Sequence, residues 1–272
     1  MNNLTIKDLY GISKLGSGSP LSTSAQVRRT EDRIDPFSRV ETGALEDVKN
    51  YTIYDNGALV IKDRKITIIR SDAFKGSLNL RSVNLSGFAE LKSIGQNAFQ
   101  DCNFLNTVNL SKCTNLTTIY ESAFSNMSRA SNLKNVNLSG CVSLTRIGDN
   151  AFKGCDSLTN INLSECNALE SIGVEAFTGC KMLEEVNLYG FAKLNSIGKN
   201  AFKDCKLLKK VNLSGCNNLK SIGVEAFTGC KMLEEVNLSG CTQLNGEYKR
   251  NLIILLDNYK KERDQEMTAI GR

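Results

Sequence analysis

Residues 105–113 read LNTVNLSKC, and the spacing of their apolar side chains decides the fold. Successive side chains of an extended chain point to opposite faces, so Val108 and Leu110 turn to one side while Thr107, Asn109 and Ser111 turn to the other. The same wording returns at 80–88 (LRSVNLSGF), 133–141 (LKNVNLSGC), 158–166 (LTNINLSEC), 183–191 (LEEVNLYGF), 208–216 (LKKVNLSGC) and 233–241 (LEEVNLSGC). The valine-type position falls at Val83, Val108, Val136, Ile161, Val186, Val211 and Val236, 25 residues apart except for one step of 28 after Val108. Three extra residues near 128–131 account for the longer step. A fixed period of this size marks stacked units, each unable to bury its apolar face alone. Residues 171–188 and 221–238 are identical, which points to duplication of a two-repeat unit.

Downstream of the strand, Leu116, Ile119 and the pair Ala123-Phe124 continue the inward set. Their spacing predicts a helical or 3₁₀ turn on the far side of each coil. One phenylalanine per coil, at Phe74, Phe99, Phe124, Phe152, Phe177, Phe202 and Phe227, predicts a buried stack. The pattern L-x-x-V-x-L-x-x-C is a leucine-rich repeat signature. The wording I-G-x-x-A-F-x-x-C-x-x-L resembles the bacterial BspA-type branch of that family over residues 58–244, and the N-L-S-x-C strand ending is closer to cysteine-containing repeats. The resemblance implies an α/β repeat solenoid: a right-handed horseshoe or arc with a concave parallel β-sheet and short helical or 3₁₀ turns on the convex side. It also implies protein binding without chemistry, as in surface adhesins or effectors delivered into a host cell.

The flanks read as flanks. Residues 1–45 are polar and aperiodic, with Gly16-Ser17-Gly18-Ser19-Pro20, and are expected to be flexible or loosely packed. Residues 46–74 carry alternating apolar positions around Asn56-Gly57, a hairpin signal that would cap the core before the solenoid of 75–244. In 245–272, Tyr248, Leu252, Leu255, Leu256 and Tyr259 recur at helical spacing and predict a capping helix with a tail.

Composition narrows the chemistry. The 272 residues include no histidine and no tryptophan, which removes Ser-His-Asp and Cys-His catalysis, histidine-ligated zinc and the imidazole switch. A net charge of +5 without a dense basic block argues against nucleic acid. The longest aliphatic run, Leu252 to Leu256, is too short to span a bilayer, and the first twenty residues lack a signal-peptide core. The expectation is a cytoplasmic protein or one delivered to a host cytosol, monomeric, with no cofactor, metal or membrane insertion.

The ten cysteines fall into two columns. Cys102, Cys155, Cys180, Cys205 and Cys230 follow the phenylalanine by three, with Ser77 and Met127 in the same place; Cys113, Cys141, Cys166, Cys216 and Cys241 follow the strand leucine by three, with Phe88 and Phe191 in the same place. Metal ligands or bridging partners would not be so replaceable, and parallel Cβ vectors are poor disulfide geometry, so the columns read as core thiols. Asn84, Asn109, Asn137, Asn162, Asn187, Asn212 and Asn237 stand between the inward strand residues and predict a ladder of side-chain amides. Six of them begin N-L-S, a formal glycosylation acceptor that repetition alone produces.

Candidate partner-binding residues stand where the repeats differ on the outward strand face. The position before each valine reads Ser82, Thr107, Asn135, Asn160, Glu185, Lys210 and Glu235, and the last three alternate in sign. Tyr189 breaks a column of serines, and Tyr120 stands where other repeats have glycine. The first reading of Glu185, Lys210 and Glu235 is cross-strand charge pairing. Exposed aromatics beside charges are also the composition of binding hot spots. No catalytic residues are proposed; an interaction scaffold, an adaptor for a partner enzyme and a structural spacer all remain open.

Overall fold

Each repeat closes one coil, and each coil lays down two short strands where β-branched residues meet their counterparts in the next coil. The computed structural model describes residues 3–4, 51–54, 56–61, 63–128 and 131–270. Strands β1 (Asn3–Leu4), β2 (Tyr51–Tyr54) and β3 (Ala58–Ile61) are antiparallel, and β4 (Ile68–Ile69) begins the coils. There follow β5 (Ser82–Asn84) and β6 (Ser93–Ile94), β7 (Thr107–Asn109) and β8 (Thr118–Ile119), β9 (Asn135–Asn137) and β10 (Arg146–Ile147). The remaining coils contribute β11 (Asn160–Asn162) and β12 (Ser171–Ile172), β13 (Glu185–Asn187) and β14 (Ser196–Ile197), β15 (Lys210–Asn212) and β16 (Ser221–Ile222), then β17 (Glu235–Asn237). Helix α1 (Gly246–Ile270) ends the described chain.

The even-numbered strands from β4 to β16 form one continuous parallel sheet, here the isoleucine sheet. The odd-numbered strands, together with β2, form the valine sheet, in two parts: β1-β2-β3-β5-β7-β9-β11 and β13-β15-β17. Register is in phase wherever coils pair, with Val83 beside Val108, Val108 beside Val136 and Val186 beside Val211. The expected leucine-rich repeat solenoid is therefore the fold.

Its far side differs in detail from the helical or 3₁₀ turns expected. In every coil the residue before Ala-Phe (Asp72, Asn97, Ser122, Asn150, Glu175, Asn200, Glu225) takes a left-handed φ of 55–60°, which no helix can contain. The backbone then bonds between coils: Phe74 N–H donates to Ala98 O at 2.7 Å and Phe177 N–H to Ala201 O at 2.7 Å. Isolated turns and the isoleucine sheet replace the helix.

Between the walls the seven phenylalanine rings stack in one column, with centroids 5.1–5.7 Å apart and planes within 10°. Each buried ring removes enough apolar surface from water to contribute about 2–3 kcal/mol before chain entropy is counted. Close backbone approach holds the isoleucine sheet at its spacing. A Cβ on Gly198 would lie 2.5 Å from the backbone of Gly173, and one on Gly148 would lie 2.7 Å from that of Tyr120, so glycine is the residue that fits.

All ten cysteines are buried and free. Each thiol reaches back to a carbonyl of the preceding coil: Cys180 to Phe152 O at 3.3 Å and Cys230 to Phe202 O at 3.0 Å in one column, Cys141 to Leu110 O at 3.1 Å and Cys216 to Leu188 O at 3.2 Å in the other. Met127 does not share the first column's place. It is 60 % exposed, because the insertion carries the chain outward there.

Helix α1 covers the last coil by imitating a further one. The Tyr259 hydroxyl accepts from Gly229 N–H at 2.8 Å and donates to Phe227 O at 3.0 Å. In inner coils the corresponding Gly154 N–H donates to Thr178 O, and the corresponding Phe152 O accepts the Cys180 thiol. Arg263 adds bonds to Lys231 O and Leu233 O. Helical order runs to Ile270, so nearly all of the tail expected within 245–272 belongs to the helix. The expectation of a loose segment over 1–45 lies outside the described residues, apart from β1.

Candidate protein-interaction face

Alternation in the valine strands sends one residue in three inward and leaves the flanking two on the outer face. On β13 the pattern is exposed, buried, exposed for Glu185, Val186 and Asn187. The asparagines that follow each valine lie side by side in register, as Asn187, Asn212 and Asn237 do. Their carboxamides serve their own coil, however, and not an amide-to-amide ladder. Asn187 Oδ1 accepts Tyr189 N–H at 3.1 Å, and Asn84, Asn109, Asn137, Asn162, Asn212 and Asn237 each accept the amide two residues on at 3.0–3.1 Å. This local Asx turn competes for the same oxygen and ends the strand.

Glu185, Lys210 and Glu235 stand directly opposite one another in register. Among the described residues they make no ion pair, whereas one position earlier Lys209 Nζ and Glu184 Oε2 meet at 3.1 Å. The charge pairing anticipated for the outer row is thus made by its neighbours, and the outer row stays open to solvent. Tyr189 follows on the same edge, 68 % exposed, with serines at the corresponding places on either side.

Tyr120 does not join this group. It follows β8 on the isoleucine side, 51 % exposed, with its N–H bonded to Ile94 O at 2.9 Å. Sequence reasoning overlooked Met182, an exposed apolar side chain three residues ahead of Glu185. Its signal was present in the repeat, since Met182, Leu207 and Met232 occupy equivalent places ahead of the three charges.

Chemistry on the thiols is disfavoured. Burial pushes Cys102, Cys155, Cys166 and Cys216 up to about 12 and Cys113 to about 11, against backbone and side-chain hydrogen bonds that pull them down only partly. A thiol held protonated in this way is neither nucleophile nor metal ligand at neutral pH. Among the described residues no cluster of three His, Cys, Asp or Glu side chains could hold a metal, and no helix is long and apolar enough to cross a membrane.

Fold and repeat together define a leucine-rich repeat solenoid. The BspA-type leucine-rich repeat region matches over residues 56–168 and 129–248 in six copies, and the chain belongs to that family. Among solved structures it is similar to the pneumococcal vaccine antigen PcpA, at 21% identity and a TM-score of 0.45, covering 66% of this chain and 57% of that one. The chain thus spans little more than half of the pneumococcal protein. It is also similar to a leucine-rich repeat protein of T. pallidum (22% identity, TM-score 0.34, 76% and 92% covered) and to a leucine-rich cell surface protein of Faecalibacterium prausnitzii (18%, 0.29, 76% and 94%). No curated protein sequence matches the chain.

Proposed function

We propose that the chain is a non-catalytic scaffold whose partner is another protein, docked on the outer face of the valine sheet around Tyr189, Glu185, Lys210 and Glu235. A leucine-rich repeat solenoid suggests a protein-interaction role in general; the particular face is our reading. It rests on one observation: a tyrosine exposed over two-thirds of its surface follows, on the same outer edge, a row of three charges that make no ion pair among the described residues. Tyrosine is enriched among the few residues that carry most of an interface's energy. In this reading the protein acts as a monomer, either in the cytoplasm or after delivery into a host cytosol.

The test is a crosslinking pull-down from bacterial and host lysates, comparing the wild type with a Tyr189→Ala, Lys210→Glu variant. Both side chains are exposed, so the variant's melting curve should match the wild type to within about 0.5 kcal/mol. A protein captured by the wild type and lost with the folded variant supports this face. Capture that the variant leaves unchanged moves the site to the turns or the flanks, and no capture at all favours a spacer.

A further inference from the structure

The valine sheet is interrupted once, between β11 and β13. At the other steps the leucine just after the strand donates to the asparagine carbonyl of the next coil: Leu85 to Asn109, Leu110 to Asn137, Leu138 to Asn162 and Leu188 to Asn212 at 2.8 Å, Leu213 to Asn237 at 2.9 Å. Two residues on, Gly87, Lys112, Gly140, Gly190 and Gly215 donate to the next coil's serine carbonyl. Among the described residues the equivalents Leu163 and Glu165 make neither bond. Space opens with them. A Cβ on Gly215 or Gly240 would come within 3.2–3.3 Å of the preceding coil, but one on Gly190 would meet nothing within 4 Å.

The opposite wall stays shut at the same pair of coils. Ser171 and Ile172 pair with Ser196 and Ile197, and Phe177 stacks on Phe202 at 5.2 Å with planes 1° apart. The gap therefore opens on one side only. It is also shallow: Val186 is 2 % exposed and Leu188 0 %. A further strand needs about 4.8 Å of added width, so this is no slot for an inserted peptide.

Side-chain volume accounts for the gap. Phe191 occupies the column in which Cys216 sends its thiol to Leu188 O, so Leu163 O receives no thiol and a ring stands where a sulfur would fit. Ile161 is the one valine-type position enlarged by a methylene. The column's other phenylalanine, Phe88, lies in the first full coil, where Arg64 of the cap spans its ring at 5.5 Å. Phe88 thus has the cap on its preceding side, whereas Phe191 faces a regular coil that carries Cys166 in the equivalent place.

We propose that the β11–β13 seam is a joint. The two blocks of the solenoid rock about the isoleucine sheet and the phenylalanine column, and Phe191 is the wedge that keeps the valine side from zipping shut. The joint does not depend on a partner at Tyr189. Residue-resolved hydrogen exchange of the full chain tests it. After correction for intrinsic rates, the Leu163 and Glu165 amides should exchange about 100-fold faster than those of Leu138, Gly140, Leu188 and Gly190. Equal rates would overturn the joint, and this comparison needs no variant. Phe191→Cys should bring Leu163 and Glu165 to the rates of their equivalents, and Cys216→Phe should free Leu188 and Gly190. Fast exchange in the wild type that Phe191→Cys leaves unchanged would overturn the wedge.

Discussion

At one pair of coils the two walls of the solenoid behave differently: the isoleucine sheet is continuous where the valine sheet is broken. The reason lies in what sets the spacing. On the isoleucine side backbone rests on backbone at Gly95, Gly148, Gly173, Gly198 and Gly223, and within that run Tyr120 alone carries a side chain, which points to solvent. On the valine side the spacing depends on a column that holds cysteine in five coils and phenylalanine in two. Rigid walls leave little room for difference between coils. The wall that tolerates difference is the one that also carries Tyr189, Glu185 and Lys210.

High pH would abolish the contrast by attacking both thiol columns together. Thiols of an unfolded chain ionise near 9.0, whereas burial holds Cys102, Cys155, Cys166 and Cys216 protonated to about 12. As pH rises the unfolded state loses protons first, so stability is full below about 9 and falls above it, by about 1.4 kcal/mol per pH unit for each thiol. Together these amount to several kcal/mol by pH 10, and the melting temperature should collapse between pH 9 and 11 in a circular dichroism series. Cysteine-to-alanine variants should flatten the fall.

Gly198→Ala sharpens the contrast, because its methyl would meet the Gly173 backbone at 2.5 Å with no flexible side chain to yield. A loss of about 3 kcal/mol or more is expected in denaturant midpoints. Gly190→Ala, facing open space on the other wall, should cost only about 1 kcal/mol, from its φ of +74°. Equal losses would mean that the walls do not differ. Of similar size is Tyr259→Phe, which removes one hydroxyl and leaves Phe227 O and Gly229 N–H without that partner. It should lower stability by about 1–2 kcal/mol and speed exchange in the last coil before any other.

The inward columns were legible because period-2 alternation and a 25-residue repeat reinforce one another seven times. The isoleucine sheet was not, since strands of two residues are too short to alternate. Nor were the left-handed turns, because Ser122 and Glu175 take that φ against their own preference, held by bonds to the next coil. At the asparagines the residue was right and the bond wrong: the same carboxamide can serve a neighbouring strand or its own turn, and only geometry chooses. Tyr189 and its charges were found by departure from the repeat. Phe191 and Ile161 departed in the same way, but their joint effect appears only when both are seen at one seam.

Tyr259 recognises backbone atoms of the coil it covers, Phe227 O and Gly229 N–H, together with the fit of its ring. Residues 171–188 repeat the sequence of 221–238, so Phe177 and Gly179 would offer the helix the same atoms. Loss or gain of a 50-residue unit would then leave the terminator valid. The solenoid's length would be free to change by such steps, while the helix that covers its last coil stays the same.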